Sequence, residues 1–403
     1  MFILQCNKLM PMWVTTTRYK FPIWLVALPN PAGTVLANLK SYLDSLAHWT
    51  ASNVGPRRQP TAKKVNLAFQ GGGAHGAFTW GVADEILSDD RIEITGISGA
   101  SAGAINAVMI ADGLARGGNE EARKRLASFW RAASTTGDLP ALQRAAADRL
   151  FSLLPFSATP VHDWFETLSR YFSPYDLNPL NINPLKDLIE RFVDFDAVRG
   201  SDLALFVSAT NVHTGRLRIF SREKITAEAV MASAALPFLF RAVEIEGVPY
   251  WDGGYMGNPP LLPFLRTTQS EDVILVQINP VERVATPRTS DQIVNRLNEI
   301  TFNAALITEL RAVTFINQLI DDGRLPRGLA DDQYRRLNLH RIELGGLGRR
   351  LGNSSRLKTD FDFFGLLFRA GQRAARKFLD QHFYDVGVRS SLDETAEVGV
   401  EWA

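Results

Sequence analysis

Apolar runs and amphipathic segments alternate along the middle of the chain. Val65 to Gln70 is a short apolar run that ends in consecutive glycines, and positions 77–87 then carry apolar residues three and four apart. The first pattern predicts a buried strand and the second a helix. Residues 92–97 and 104–114 repeat this order of strand, small-residue turn and helix.

Further downstream, the same alternation continues with longer spacings. Residues 203–210, 217–220 and 273–278 are short apolar runs, and residues from about 290 to 322 have the period of a long amphipathic helix. Strands separated by helices favour an α/β domain with a mostly parallel central sheet.

Turn-rich and aperiodic segments suggest where the domain begins and ends. Residues 1–60 show no sustained period, and we interpret them as an N-terminal extension or linker. We expect a main α/β domain over 61–285 with a helical insert at about 118–196, followed by a helical region over 286–403 that packs on it. The apolar stretch at 21–29 is interrupted by Pro22, so a surface extension is favoured there over a signal peptide.

Composition excludes several classes of protein. The chain has 403 residues and a formal net charge of +1, so no overall basic field recruits nucleic acid. Its single cysteine, Cys6, cannot form an internal disulfide, and no Cys/His cluster has the spacing of metal ligands. No apolar run reaches the roughly 18 residues needed to span a bilayer, so we do not expect an integral membrane protein.

The segment Phe361 to Phe383 combines aromatic residues with Arg369, Arg373, Arg376 and Lys377. Such a helix can lie on an anionic membrane surface, or it can dock on its own domain with the basic residues in solvent. Docking is the favoured interpretation.

A glycine turn is the first candidate for chemistry. Residues 71–76, GGGAHG, satisfy G-x-G-x-x-G between a strand and a helix. Dinucleotide binding would also require an acidic residue at the end of the next strand, but Glu93 lies near the start of that strand. The turn can hold a phosphate or a transient oxyanion, or it can be a tight structural turn.

A serine elbow is the second candidate. Residues 99–103, GASAG, match G-x-S-x-G between a predicted strand and a predicted helix, which would expose the hydroxyl of Ser101. Alternatively, Ser101 merely caps the helix. A serine nucleophile needs a base, and of the six histidines neither His340 nor His382 has the sequence context of an α/β-hydrolase base.

Residues 252–254, DGG, are the third candidate. In isolation, Asp252 before two glycines is an ordinary turn.

Taken in order, the three motifs resemble the patatin-like phospholipase family over roughly residues 65–265. The resemblance implies a Ser–Asp dyad without histidine, in which Ser101 is the nucleophile and Asp252 the general base. It also implies an oxyanion hole from Gly71, Gly72 and Gly73. The supporting motif glycines are Gly76, Gly99, Gly103, Gly253 and Gly254. His75 stands where many relatives carry Arg or Lys.

The expected protein is therefore a three-layer α/β/α serine hydrolase that cleaves fatty-acyl esters of phospholipids or lysophospholipids, without a metal or organic cofactor. Open alternatives are an acyltransferase that uses the same serine, a nucleotide-binding protein that uses the glycine turn, and a silent lipid-binding module. We expect a cytoplasmic protein, with peripheral membrane association and secretion left open. The apolar residues that flank the motifs could line an acyl channel or belong to the core: Phe78, Trp80, Phe238, Leu239, Phe240, Tyr255, Met256, Leu261 and Leu262.

Overall fold

The computed structural model describes residues 62–134, 173–326 and 334–393, and two short strands before them. The chain divides into two units, Met1–Thr61 and Ala62–Ala403. In the first unit, β1 (Met12–Thr16) and β2 (Tyr19–Ile23) pair antiparallel. This strand pair lies in the segment that the sequence predicts to be an N-terminal extension or linker.

In the second unit, the described residues form an eight-stranded mixed sheet. Its strands in chain order are β3 (Lys63–Phe69), β4 (Ile92–Gly99), β5 (Ala204–Asn211), β6 (Leu217–Ser221), β7 (Val243–Ile245), β8 (Val248–Asp252), β9 (Asp272–Gln277) and β10 (Asn338–Glu343). Across the sheet they run in the order β10-β9-β3-β4-β5-β8-β7, with β6 also paired to β5. The first five strands of that order are parallel, whereas β6, β7 and β8 pair antiparallel. The prediction of a mostly parallel α/β sheet is confirmed.

Helices cover both faces of this sheet. In chain order they are α1 (Gly76–Leu87), α2 (Ala102–Ala132), α3 (Pro174–Leu177), α4 (Pro184–Phe192), α5 (Phe195–Gly200), α6 (Ala227–Ala234), α7 (Phe264–Thr267), α8 (Ser290–Asp321), α9 (Gly345–Arg350) and α10 (Phe361–His382). Short 3-10 turns occupy Gly73–His75, Arg222–Lys224, Gly253–Tyr255 and Asn353–Leu357.

The alternation of side chains along the strands explains the three layers. Leu67 and Phe69 of β3 belong to one buried core, while Ala68 between them belongs to another. Ile274 and Leu275 of β9 divide in the same way. Since successive strand residues point to opposite faces, each face buries its own apolar set. The first core is closed by α1, α2, α4, α6 and α10, and the second by α7 and α8.

Helix α10 docks on this domain through α1, as the favoured interpretation expected. Its buried residues recur three and four apart, and its basic residues Arg369, Arg373, Arg376 and Lys377 are exposed. The two helices approach closely at glycines, because a Cβ on Gly81 or on Gly371 would overlap the backbone of the other helix. Trp80 packs on Phe368 with ring centroids 4.1 Å apart, which adds aromatic contact to the seam.

Two predicted boundaries differ from the structure. The region 286–403 is not wholly helical, because β10 lies in it and extends the parallel sheet beside β9. The insert predicted to begin at 118 begins inside α2, which continues to Ala132 with a kink at Gly118. Residues 135–172 of that insert lie outside the described residues. Within the described residues, none of the helices combines the length and the apolar character that crossing a membrane requires.

Candidate active site

Ser101 lies at a strained turn between β4 and α2. Its backbone has φ of 54° and ψ of −125°, a conformation that a residue with a side chain adopts only at a cost. The Ser101 N–H donates to Ser233 Oγ at 2.9 Å, which helps to hold this conformation. The Ser101 side chain makes no capping hydrogen bond to α2, so its hydroxyl is not used as a helix cap.

The pairing of β5 brings Asp252 to the same place. Phe206 and Val207 pair with both β4 and β6, while Ala209 and Thr210 pair with both β6 and β8. Because a strand has two edges, β4 and β8 must share the edge opposite β6. Strand β8 therefore pairs with β5 on the same edge as β4, just beyond the carboxyl end of β4, where the Ser101 turn begins.

The carboxyl group of Asp252 is fully buried and only half satisfied. Its Oδ1 accepts a hydrogen bond from the Gly254 N–H at 2.7 Å. Its Oδ2 is buried without a hydrogen-bond partner. The backbone is held on both sides, since the Asp252 N–H donates to the Ala235 carbonyl at 2.9 Å and Thr210 Oγ1 donates to the Asp252 carbonyl at 2.8 Å. One oxygen of a rigidly held carboxyl group is thus free to accept a proton.

Burial raises the pKa of Asp252 to about 7. The Ser101 hydroxyl, the Gly254 N–H and the positive charge of Arg356 each oppose this rise. The Ser101 hydroxyl is near enough to influence the pKa of the carboxyl group, although Oδ2 makes no hydrogen bond of full geometry. A pKa near 7 suits a group that must take a proton from serine and return it at neutral pH.

The glycine turn lies directly against the serine elbow. A Cβ at Gly71 would be 2.8 Å from the Ala100 carbonyl oxygen and 2.8 Å from the Ser101 Cβ. The Gly71 N–H donates to Asn258 Oδ1 at 2.7 Å, and the Gly71 carbonyl accepts from Asn279 Nδ2 at 2.9 Å. Of the predicted oxyanion trio, Gly71 therefore has its N–H occupied.

Gly72 and Gly73 differ from Gly71 in this respect. No residue of the described chain accepts a hydrogen bond from the N–H of either one. Gly73 has φ of 59°, in the left-handed region that favours glycine. The structure leaves two adjacent N–H groups of this turn available for an anion.

The remaining motif glycines allow close packing between elements. At each of them a Cβ would overlap a neighbouring atom: Gly76 against Ala102, Gly99 against Gly103 and Ala104, Gly103 against Phe69, Gly253 against Ser208, and Gly254 against Phe302. These glycines allow the elements around the site to approach one another closely.

Four residues of the site were not identified from the sequence: Ser233, Asn258, Asn279 and Arg356. Asn258 and Asn279 each precede a proline, a context typical of a loop, so the local sequence gives no sign of their role. Their hydrogen bonds to Gly71 show that they hold the turn. Arg356 lies in an Arg-rich segment with no motif, so local sequence held no signal for it.

None of the described histidines hydrogen-bonds to Ser101. Burial, aided by the charge of Arg356, lowers the pKa of His75 to about 3, so its ring is neutral. His75 Nε2 contacts Ser355 Oγ at 2.7 Å. His340 contacts Asp272, and His382 contacts Asp385. Nor does the described part of the chain gather three or more His, Cys, Asp or Glu side chains in a way that could hold a metal ion.

The apolar residues that flank the motifs divide into three groups, of which Leu239, Phe240 and Tyr255 are half-buried. Phe78, Trp80 and Leu261 are buried and belong to the core. Phe238, Met256 and Leu262 are exposed by 67%, 42% and 38%, respectively. The exposed group lies on either side of Asp252 in sequence and presents apolar surface to solvent.

Comparisons with known proteins bear on the central part of the chain. Residues 67–265 match the family model described as patatin-like phospholipase. An uncharacterised protein, R571, of Acanthamoeba polyphaga mimivirus is 29% identical over 224 residues. That match covers 53% of this chain and 65% of the viral protein, which is less than two thirds of the relative's length.

Two solved structures are similar at low identity. VipD from Legionella pneumophila is 15% identical, with 80% of this chain and 67% of that chain covered and a TM-score of 0.37. The type III effector protein ExoU, which comes from Pseudomonas aeruginosa, is also 15% identical, with 80% of this chain and 53% of that chain covered and a TM-score of 0.32.

Proposed function

Residues 67–265 belong to the patatin-like phospholipase family, and from this premise we propose that the chain is a serine lipid acyl hydrolase with Ser101 as nucleophile and Asp252 as general base. One observation carries the proposal. A buried carboxyl group with an unpartnered oxygen lies beside a serine at a strained elbow.

In the first half of the reaction, Asp252 accepts the hydroxyl proton as Ser101 Oγ attacks the ester carbonyl carbon. The negative charge on the carbonyl oxygen is stabilised by the free N–H groups of Gly72 and Gly73. When the tetrahedral intermediate collapses, the ester C–O bond breaks and the proton on Asp252 passes to the leaving alcohol. The acyl group remains on Ser101.

In the second half, a water molecule takes the place of the alcohol. Asp252 accepts a proton from the water as it attacks the acyl carbon, and the same N–H groups bind the second oxyanion. Collapse releases the fatty acid and returns the proton to Ser101. An alcohol acceptor in place of water would make the protein an acyltransferase.

The proposed substrate is a fatty-acyl ester of a phospholipid or lysophospholipid. This follows the family, and the exposed Phe238, Met256 and Leu262 supply apolar surface near the aspartate turn for an acyl chain. The nucleotide-binding alternative is less favoured, because the glycine turn packs on the Ser101 elbow and the Gly71 N–H is already bound by Asn258.

A fluorophosphonate probe tests the nucleophile without choosing a lipid. We expect intact-mass analysis to show one adduct on the native protein and none on Ser101→Ala. Ser391→Ala is the matched control, because Ser391 Oγ contacts a histidine, His340, at 3.0 Å in a different cluster. That variant should be labelled like the native chain.

An adduct that persists on Ser101→Ala, or a folded native protein that is never labelled with or without phospholipid vesicles, would contradict the proposal. A protein preparation that reacts with the probe is then assayed for fatty acid release with and without an added alcohol. Free fatty acid indicates hydrolysis, whereas a new ester of the added alcohol indicates acyl transfer.

A further inference from the structure

Arg356 lies outside the matched family region, yet it contacts the glycine turn. Its backbone carbonyl is against Gly73, where a Cβ would overlap it. Its guanidinium Nη2 donates to Asn279 Oδ1 at 2.7 Å, and Asn279 Nδ2 donates in turn to the Gly71 carbonyl at 2.9 Å. Two hydrogen bonds thus connect the guanidinium to the turn that faces Ser101.

The same guanidinium also approaches the aspartate turn. The Arg356 Cζ lies 5.7 Å from the centroid of the Phe302 ring. Phe302 fills the space beside Gly254, and its ring centroid is 5.2 Å from that of Tyr255. Arg356 is therefore placed between the turn expected to bind the oxyanion and the turn that holds Asp252.

The positive charge of Arg356 is not neutralised by an ion pair. No carboxylate of the described residues lies within salt-bridge distance of it. Glu299 is the nearby acid, but it already pairs with Arg283 at 3.1 Å and with Arg296 at 3.3 Å. An arginine stays protonated in proteins, so the half-buried Arg356 brings a net positive charge to the site.

His75 cannot supply that charge, because burial keeps its ring neutral. His75 within the glycine motif is therefore neutral, and the positive charge beside this motif comes from Arg356, which is distant in sequence.

We propose that Arg356 is a positioning residue of this active site. Its guanidinium holds the glycine turn through Asn279, and its positive charge keeps Asp252 in the ionised, basic form. The inference rests on the proposed function, because it assigns Asp252 as the base. The charged and titratable groups that face Asp252 are Tyr255 and Arg356, and those that face Arg356 are His75, Arg283 and Glu299.

Charge removal at Arg356 should change how reactivity depends on pH. Without the cation, the ionised form of Asp252 is less stable, so its pKa rises and the base becomes available only at higher pH. The rate constant for fluorophosphonate labelling of Ser101, measured by intact mass from about pH 5 to pH 9, reports this directly.

For Arg356→Met we expect the acidic limb of that profile to move up by about half a unit to one unit, with labelling at neutral pH about three- to tenfold slower. Arg356→Lys keeps the positive charge, so its acidic limb should lie at the native position. Arg350→Met, in the same segment and exposed, removes an equal charge and should leave the profile unchanged.

If Arg356→Met does not fold, Arg356→Gln has the same expectation, because glutamine can still donate to Asn279 while lacking the charge. An unshifted limb in a folded neutral variant, with the native protein labelled on Ser101, overturns this inference alone. No labelling of the native protein overturns the proposed function and this inference with it.

Discussion

Two clusters that contain serine and aspartate lie at opposite ends of the parallel strands. At the amino end of β9, Asp272 Oδ1 accepts hydrogen bonds from His340 Nε2 at 3.0 Å and from the Gly387 N–H at 2.8 Å. His340 Nδ1 contacts Ser391 Oγ at 3.0 Å. In composition this is a Ser–His–Asp set. At the carboxyl end of β4, Ser101 has an aspartate near it, and none of the described histidines hydrogen-bonds to it.

The two carboxyl groups differ in how their oxygens are used. Asp272 accepts hydrogen bonds from several donors, and through Gly387 it ties the segment after α10 to the amino end of β9. Asp252 accepts from one N–H, and its second oxygen is buried without a partner. We therefore expect reactivity where a desolvated carboxyl group with an unsatisfied oxygen lies beside a strained serine, and a stabilising role for the satisfied cluster of the same residue types.

The strongest test of this comparison makes the same isosteric change in each cluster. Asp252→Asn should lower ester turnover by at least about a thousandfold while the protein stays folded, because an amide cannot accept the serine proton. Asp272→Asn should keep turnover per folded molecule but lower the free energy of unfolding by about 1–3 kcal/mol, because it perturbs buried hydrogen bonds. Activity assays paired with denaturant unfolding measure both quantities.

The opposite pattern, with activity lost in folded Asp272→Asn and kept in Asp252→Asn, would move the base to the histidine cluster.

The second test uses the pH dependence of stability. Burial holds the pKa of Asp252 at about 7 in the folded protein, above its ordinary value. The folded state therefore binds this proton more tightly than the unfolded state, and the protein loses stability as pH rises from about 4 to about 7. Asp252→Asn lacks this group and does not lose stability in this way. As pH rises from about 5 to about 8, its unfolding free energy should therefore increase by about 2–3 kcal/mol relative to that of the native chain.

Denaturant titrations of both proteins at each pH measure these unfolding free energies. If the unfolding free energies of the two proteins vary in parallel with pH, the carboxyl group of Asp252 is not desolvated in the folded state.

The smallest expected effect concerns the strain at Ser101. Ser233→Ala removes the hydroxyl that accepts the Ser101 N–H, so the elbow should be held less precisely and turnover should fall by about tenfold. Ser390→Ala is the matched control, since Ser390 Oγ accepts the Leu339 N–H at 3.0 Å in the second cluster. It should leave kcat unchanged. Equal losses in the two variants would mean that the Ser233 bond only stabilises the fold.

Structure could be predicted from the sequence where a single short segment contains the information. The βα units around residues 71–76 and 99–103, the long helix near 290–322 and the α/β class could be predicted, because periodicity and glycine punctuation report local backbone geometry. Strand β10 was missed. Its residues, NLHRIE, lack a continuous apolar run, and they form a strand because they pair with β9.

The sequence by itself determined the candidate residues of this protein, namely Ser101 at an elbow, Asp252 before two glycines, and a glycine turn ahead of both. Only the tertiary structure decided their properties. The burial of Asp252, the occupied N–H of Gly71 and the cation from Arg356 all depend on residues far apart in the chain. Local backbone conformation is set by neighbouring residues, whereas desolvation and charge at a site are set by whatever the fold packs around it.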